Sequence, residues 1–295
     1  MSQDPSPSTV PKIVMKTTRV VVIGLMLTLL ACLSHPGAVV RASEMQSKAS
    51  PGEAETSQPT TPGIERRADR LLREMSEYLS ATAAFTFHAD ITYDNVVDDS
   101  YMIQYGGTSE VSVMRPNKLR AEYRGDMRRS SVVFDGLTAT IHDLAINVYS
   151  VTEVPAGLDA AIDHVFDEYG FTVPIADFVY SDPYNALTGF VDSGYWVGLH
   201  SVDGTPCHHL AFSQETIDWQ IWIEDGPRPV PRKLVITYKD AAGAPQYTAR
   251  LSRWDLQPRL SNHYFEFHPP IGAYGIEFMA VSADWPAETS KEIDQ

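Results

Sequence analysis

Hydrophobic and polar residues alternate along much of the second half of the chain. One predicted strand covers Trp219–Ile223, the next covers Arg232–Lys239 and a third covers Tyr247–Trp254, with Asp/Gly turns between them. The first two strands each place apolar residues on one face: Trp219, Ile221, Ile223, Leu234, Ile236 and Tyr238. Successive side chains leave a strand on opposite faces, so this period of two predicts an antiparallel meander with one apolar face.

The first half begins with a helical pattern and then changes period. Between residues 63 and 81, apolar residues such as Leu71, Met75 and Leu79 recur at three- and four-residue steps, which predicts an amphipathic helix. From Phe85 the period is two, and strands are expected through Val151. Turn sequences such as Asp135-Gly136 separate these strands.

The middle of the chain interrupts the strands. Gly157–Gly170 predicts a second amphipathic helix, and residues 174–188 predict one or two short helical pieces. The apolar face of the second helix consists of Leu158, Ile162, Val165 and Phe166. Strands are expected again from Trp196 to His268. This order predicts one mainly β domain, residues 63–280, in which helices cover a strongly curved sheet, followed by an acidic tail at 281–295.

Composition narrows the class of protein. Hydrophobic residues make up 43% of the 295 residues, enough for a sizeable core, and the formal net charge is -15. Nucleic acid is therefore not expected as a partner, because phosphates require a basic surface. The same charge disfavours simple electrostatic docking on anionic lipid.

The N-terminal residues 1–42 have the features of a signal peptide. Lys16 and Arg19 precede Val20–Leu30, an uncharged run of 11 residues that is too short to span a membrane. Two alternative processing sites follow. One is a lipobox-like sequence ending at Cys32, which would be lipidated, and the other is a small-residue cleavage site ending at Ala42. Both predict export to the periplasm or the bacterial envelope, the first with a lipid anchor in the membrane. Residues 43–62 are polar and aperiodic, which predicts a disordered linker.

Candidate catalytic and metal-binding chemistry is sparse. Cys207, His208 and His209, with His200 upstream, form the one metal-like grouping considered, but neighbouring residues of a strand point to opposite faces and zinc-ligand spacings are absent. The sequence also lacks the Gly-x-Ser-x-Gly motif of serine nucleophiles, the His-Glu-x-x-His motif of metalloproteases and the glycine-rich motifs that bind nucleotides. We therefore expect no catalytic residue, metal or cofactor, and an envelope hydrolase is the least favoured alternative.

Several segments resemble known envelope proteins. Arg115–Tyr123 and Phe134–Asp143 resemble strands of the periplasmic lipoprotein carriers of the LolA/LolB type. Asp203–Phe212, Pro231–Lys239 and Phe265–Pro270 are similar to the DUF2092 family of predicted periplasmic proteins, over about residues 64–278. The resemblance implies an unclosed, strongly curved antiparallel half-barrel of about eleven strands, whose apolar concave face lies under a helical lid. In the carriers, that cavity holds acyl chains.

On this resemblance, the apolar faces of the strands are a candidate ligand-binding site. Expected cavity-lining residues are Phe85, Phe87, Trp219, Ile221, Ile223, Leu234, Ile236 and Tyr238, under a lid formed by Leu158, Ile162, Val165 and Phe166. These side chains either line a ligand cavity or fill the core beneath the helices. The expected function is a monomeric, non-catalytic envelope protein that binds or carries a lipid, an acyl chain or a lipoprotein. The alternative is a sensor or interaction module that recognises an envelope protein.

Overall fold

The computed structural model describes residues 61, 63–97, 101–169 and 174–277. Three α-helices are present in this part of the chain: α1 (Arg66–Ala81), α2 (Leu158–Tyr169) and α3 (Pro183–Thr188). Short 3-10 helices cover Pro174–Phe178 and Asn262–Phe265. The strands are β1 (Ala84–Val97), β2 (Tyr101–Met114), β3 (Lys118–Gly125), β4 (Arg129–Phe134), β5 (Thr138–Asp143), β6 (Val148–Glu153), β7 (Ser193–Val202), β8 (Thr205–Ser213), β9 (Ile217–Glu224), β10 (Pro231–Tyr238), β11 (Gln246–Asp255) and β12 (Tyr274–Ile276).

All twelve strands form one open sheet in the order β12-β6-β5-β4-β3-β2-β1-β11-β10-β9-β8-β7. Neighbouring strands are antiparallel, except that β12 lies parallel to β6. Strand β1 joins the two halves, because it pairs with β2 on one side and with β11 on the other. The predicted mainly β half-barrel with covering helices is confirmed, with one short strand more than the expected eleven.

Helix α1 fills much of the concave side. Leu72, Met75 and Leu79, on one face of the helix, are completely buried, as the three- and four-residue spacing predicts. They join the apolar faces of the strands in a single core, to which β2 contributes Val111 and Val113. The burial of this face provides most of the helix's stability, because an isolated helix of this length is marginal in water.

The expectation of a strand that ends at His268 is wrong. Residues Asn262–Phe265 form a 3-10 helix instead, on the convex side of the sheet. There the hydroxyl of Tyr264 lies 3.1 Å from Ser112 Oγ, and Phe267 packs 5.1 Å from the ring of Tyr149. The alternating aromatic residues anchor a segment that crosses the sheet, and among the described residues this segment pairs with no strand.

A β-bulge breaks the alternation of β11. Arg253 has a φ of 52°, and the register with β1 shifts between Thr86 and His88. The shift brings the Trp254 ring to 4.6 Å from Phe87, on the concave side. The indole N–H donates a 3.1 Å hydrogen bond to the Pro231 carbonyl, so this large side chain is both packed and paired.

The predicted signal peptide, the lipidation at Cys32, nearly all of the predicted linker and the acidic tail lie outside the described residues. They remain predictions, as do the domain boundaries. None of the helices in the described part of the chain is long and apolar enough to cross a membrane.

Candidate ligand-binding site

The eight predicted cavity-lining residues all lie on the concave side and in or against one core. Seven are buried: Phe85, Phe87, Trp219, Ile221, Ile223, Leu234 and Ile236. Tyr238 is half-buried against the same core. The residues are therefore brought together, and their present neighbours are side chains of the helices and of the facing strands.

Helix α1 covers the β7–β9 part of this face. Its N-terminal end is fixed to the outer strand β7, where Glu65 N donates a 2.8 Å hydrogen bond to the Gly194 carbonyl. The guanidinium of Arg67 stacks 3.4 Å from the centre of the Trp196 ring. This half of the concave face is consequently closed by an element that belongs to the core.

The apolar face of α2, the predicted lid, is buried to different degrees along the helix. Leu158 and Ala161 in its first turn are buried in the core, whereas Ile162 is half-buried against it. Val165 and Phe166, farther along the same predicted face, are also half-buried. The apolar face of the helix is thus firmly packed at its beginning and less so toward its end.

A group of polar contacts holds the start of α2. We call it the lid latch, consisting of Arg115, Asp159, Asp163, Tyr180 and Ser181. Arg115 Nη2 donates a 2.8 Å hydrogen bond to the Tyr180 carbonyl, and Asp159 Oδ1 accepts a 2.8 Å bond from Ser181 N. Tyr180 donates its hydroxyl to Asp163 Oδ1 at 2.8 Å. The latch therefore connects the sheet and α2 to the segment that follows the short 3-10 helix.

Sequence analysis identified none of the latch contacts, including that of Arg115, which lies directly after β2. Burial lowers the pKa of its guanidinium, an effect that the nearby Asp159 carboxylate opposes. Its Nε is buried with no hydrogen-bond partner in the described structure. A signal was present in the sequence, because a cation at the end of an apolar strand and directly before a proline is unusual for a core-facing position.

A second polar group ties α1 to α3. Asp69, which is 3% exposed, accepts hydrogen bonds from Arg73 Nε at 3.0 Å and from the Tyr184 hydroxyl. Arg73 Nη2 also lies 2.8 Å from that hydroxyl, and Thr61 Oγ1 lies 2.7 Å from it. A buried carboxylate requires such pairing, so these contacts fix the helices against each other.

The grouping around Cys207 is spread over both faces of β8. Cys207 Sγ donates to the Thr205 carbonyl at 3.3 Å, and burial raises the pKa of the thiol to about 11. His209 Nδ1 lies 3.1 Å from His200 Nδ1, while His208 faces Asp225 at 3.2 Å. The structure thus pairs two of the histidines and separates the third from them.

A different grouping has metal-ligand chemistry. The donor atoms of His263, Glu266 and His268 lie within 4.8 Å of one another, and all three residues are exposed. Glu266 Oε2 accepts from His263 Nδ1 at 2.8 Å and lies 3.5 Å from His268 Nε2. These contacts among the three side chains account for the arrangement without a metal.

The cavities of the described residues include two that lie beside the core. The larger, about 280 Å³, is lined by residues 189–192 and 214–216, where α3 ends and the β8–β9 turn begins. The smaller, about 80 Å³, lies between Leu71 of α1 and the β9–β10 turn, with His208 and Ile223 in its wall. The larger cavity adjoins the end of the sheet at which Tyr238 closes β10.

Comparison with solved structures finds distant likenesses. An uncharacterized conserved protein from Thermus thermophilus is 10% identical, with a TM-score of 0.43 over 72% of this chain and 99% of that one. A LolA superfamily protein from Nitrosomonas europaea is 11% identical, with a TM-score of 0.34 over 68% and 97%. The Mycobacterium tuberculosis lipoprotein LppX is 11% identical, with a TM-score of 0.33 over 65% and 98%.

Comparison of sequences gives the family. No curated protein matches the chain. The model of a family described as predicted periplasmic proteins, DUF2092, matches residues 68–279, which include most of α1 and the strands from β1 to β12. The chain therefore belongs to the DUF2092 family of predicted periplasmic proteins.

Proposed function

We propose that this protein is a non-catalytic component of the bacterial envelope that binds an acyl chain, of a lipid or of a lipoprotein, against the concave face of its half-barrel. The observation that carries the proposal is the uneven packing of α2. Leu158 is buried, but Ile162, Val165 and Phe166 keep part of their apolar surface accessible. An apolar helix face that is held at one end and incompletely covered at the other can accept apolar chain atoms in place of water.

The lid latch supports the same proposal. The hydrogen bonds of Arg115, Asp159 and Asp163 hold the first half of α2, so the turns after Asp163, which carry Val165 and Phe166, can move without breaking them. Movement of these turns would open space beneath Val165 and Phe166, which are only half-buried. The ligand would therefore enter under the C-terminal part of α2.

An exported chain would meet acyl groups in the envelope. The predicted signal peptide and the family description are consistent with a periplasmic location, and a lipidated Cys32 would anchor the protein to a membrane. Burial raises the pKa of the Cys207 thiol to about 11, so we do not expect this residue to act as a nucleophile.

Lipid recovery tests the proposal directly. We expect native mass spectrometry of protein purified from the envelope without detergent to show bound lipid, and the delipidated protein to take up a fluorescent fatty acid. Ile162→Asp should weaken uptake because it places a charge on the lid face. Leu137→Asp, at a residue 74% exposed in the β4–β5 turn, is the matched control and should bind as the unaltered protein does.

The alternative function would give a different result. Repeated empty preparations, no uptake of the fluorescent fatty acid, and one specific protein recovered by crosslinking would favour the envelope sensor or interaction module. Equal uptake by the Ile162→Asp and Leu137→Asp variants would show that the lid face takes no part in binding, and would contradict the site proposed above.

A further inference from the structure

Four tyrosines and one arginine gather at one end of the concave face. We call them the tyrosine cluster: Tyr93, Tyr123, Tyr238, Tyr247 and Arg128. Tyr93 on β1 lies directly opposite Tyr247 on β11, and Tyr238 is the last residue of β10. The Arg128 guanidinium lies 5.4 Å from the centre of the Tyr123 ring. The cluster is a polar group within an otherwise apolar face.

The hydroxyls of this cluster are not all paired. Those of Tyr93 and Tyr123 interact with each other. The hydroxyls of Tyr238 and Tyr247 are buried and have no hydrogen-bond partner within the described structure. Tyr247 is only 2% exposed. Buried polar groups in native proteins are almost always paired, so two unpaired hydroxyls on adjacent strands call for a functional reason.

Both unpaired groups act as donors at neutral pH. Burial raises the pKa of Tyr238, and burial with Tyr238 and Tyr123 nearby raises the pKa of Tyr247. The phenols therefore keep their protons and can donate hydrogen bonds. A ligand that satisfies them must bring an acceptor oxygen.

The larger cavity lies near the end of β10 that carries Tyr238. The 280 Å³ cavity is lined in part by Thr216, whose Oγ1 is also buried without a partner in the described structure. Thr216 precedes Ile217, the residue opposite Tyr238 in the β9–β10 pair, and its carbonyl accepts from Lys239 N at 2.9 Å. The cavity thus borders the same end of the sheet as the cluster.

We propose that the tyrosine cluster binds the acyl carbonyl oxygen of the ligand, with Tyr238 and Tyr247 as the donors. This inference rests on the proposed function, and it names the oxygen-bearing end of the acyl chain as the part recognised here. The carbonyl belongs either to an ester or to a free carboxylate. Arg128 would favour the carboxylate, whereas Asp126, whose carboxylate accepts from Gly106 N at 2.7 Å, would oppose it.

Three probes that share an 18-carbon chain separate these sources. We would measure the binding of oleic acid, methyl oleate and 1-octadecene to the delipidated full protein by fluorescence displacement. We expect both oxygenated probes to bind more tightly than the hydrocarbon, and a preference of oleic acid over methyl oleate would identify the carboxylate. Tyr247→Phe and Tyr238→Phe should each weaken the oxygenated probes by about threefold to tenfold, as one lost hydrogen bond predicts.

The free protein provides a second measurement. Because the two hydroxyls are unpaired, Tyr247→Phe removes a buried donor without removing a contact, and its melting temperature should equal or exceed that of the unaltered protein. A lowered melting temperature with unchanged affinities would assign a structural role to the hydroxyl and overturn the inference. Tyr195→Phe, at an exposed residue of β7, should change neither measurement.

The outcomes also separate the two proposals. Equal binding of all three probes, unaffected by either Phe variant, would overturn the carbonyl site and leave acyl-chain binding in place. Absence of binding for all three probes to the unaltered protein would overturn the proposed function itself.

Discussion

The guanidinium of Arg115 donates a 2.8 Å hydrogen bond to the backbone carbonyl of Tyr180, and so joins the end of β2 to the segment that holds the lid helix. We predict that Arg115→Leu loosens this segment. A hydrogen bond from a charged group is worth about 1.5–3 kcal/mol. Amide exchange at Ser181 and in the first turn of α2 should therefore accelerate about tenfold or more.

Hydrogen exchange with mass spectrometry measures this effect peptide by peptide. Arg129→Leu, at an exposed arginine on β4, is the control and should leave both segments protected. Protection that is unchanged in Arg115→Leu would mean that the apolar burial of Leu158 and Ala161 alone holds the helix.

The Glu122 carboxylate should make part of the stability dependent on pH. A hydrogen bond from Arg120, 2.9 Å away, lowers the pKa of Glu122 most, partial burial opposes this, and Arg124 adds to it. Because the folded-state pKa lies below the ordinary value of 4.5, the stabilisation is fully present above that pH. It is lost as the pH falls below 4.5 and through the folded-state pKa.

Urea unfolding of Glu122→Gln at several pH values checks this dependence. The variant should be less stable than the unaltered protein at pH 7, and the difference should shrink as the pH falls below 4.5. A difference that is the same at pH 7 and pH 3 would contradict an ionic origin. Glu153→Gln, at an exposed residue on β6, is the control.

Gly125 makes room for the ring of Tyr123. A Cβ added at Gly125 would collide with the hydroxyl, Cζ and Cε1 of that ring. We predict that Gly125→Ala lowers the free energy of unfolding by about 1–3 kcal/mol, the usual cost of overpacking. Adding Tyr123→Leu should recover much of this loss, because the collision is with the ring rather than the backbone.

A double-mutant cycle measures the coupling between these two residues. Denaturant unfolding of the unaltered protein, both single variants and the double variant provides the four free energies. Strictly additive losses would show that Gly125 is required for its backbone conformation instead.

Cys207 should be unreactive in the folded protein. Its side chain is completely buried and burial raises the pKa of the thiol to about 11, so little thiolate forms at pH 8. Ellman's reagent should label this thiol slowly in buffer and rapidly in denaturant. The Cys207→Ser variant assigns the signal, and rapid labelling of the folded chain would show that β8 opens readily.

The local pattern of the sequence predicted most of the sheet and both long helices. Alternation at Trp219, Ile221 and Ile223 indicated the buried face of β9, and the spacing of Leu71, Met75 and Leu79 indicated that of α1. These features depend on residues only a few positions apart. A helix or strand that buries one face places its apolar residues at one fixed spacing, which the sequence shows directly.

Other features depend on contacts between distant residues. The bulge at Arg253 turns Trp254 toward Phe87, and it exists because β11 must fit against β1. Arg115 gains its role from Tyr180, which lies 65 positions away in the sequence. No periodicity reports such pairings. The unpaired hydroxyl of Tyr247 was equally invisible, because alternation marks a residue as inward-facing and not whether its polar atom finds a partner.

The place of β1 between β2 and β11 has a consequence for how the chain folds. Strands β2–β6 and β7–β11 are each local meanders, but Ala89 meets Leu251 only after the last long strand has been delivered. Until then, the strands β7 and β9, against which α1 packs, are not yet in place. Folding is therefore expected to be slow and dominated by non-local contacts. Until β7–β11 have formed, the apolar face of α1 remains uncovered, so the incompletely folded chain is prone to aggregation.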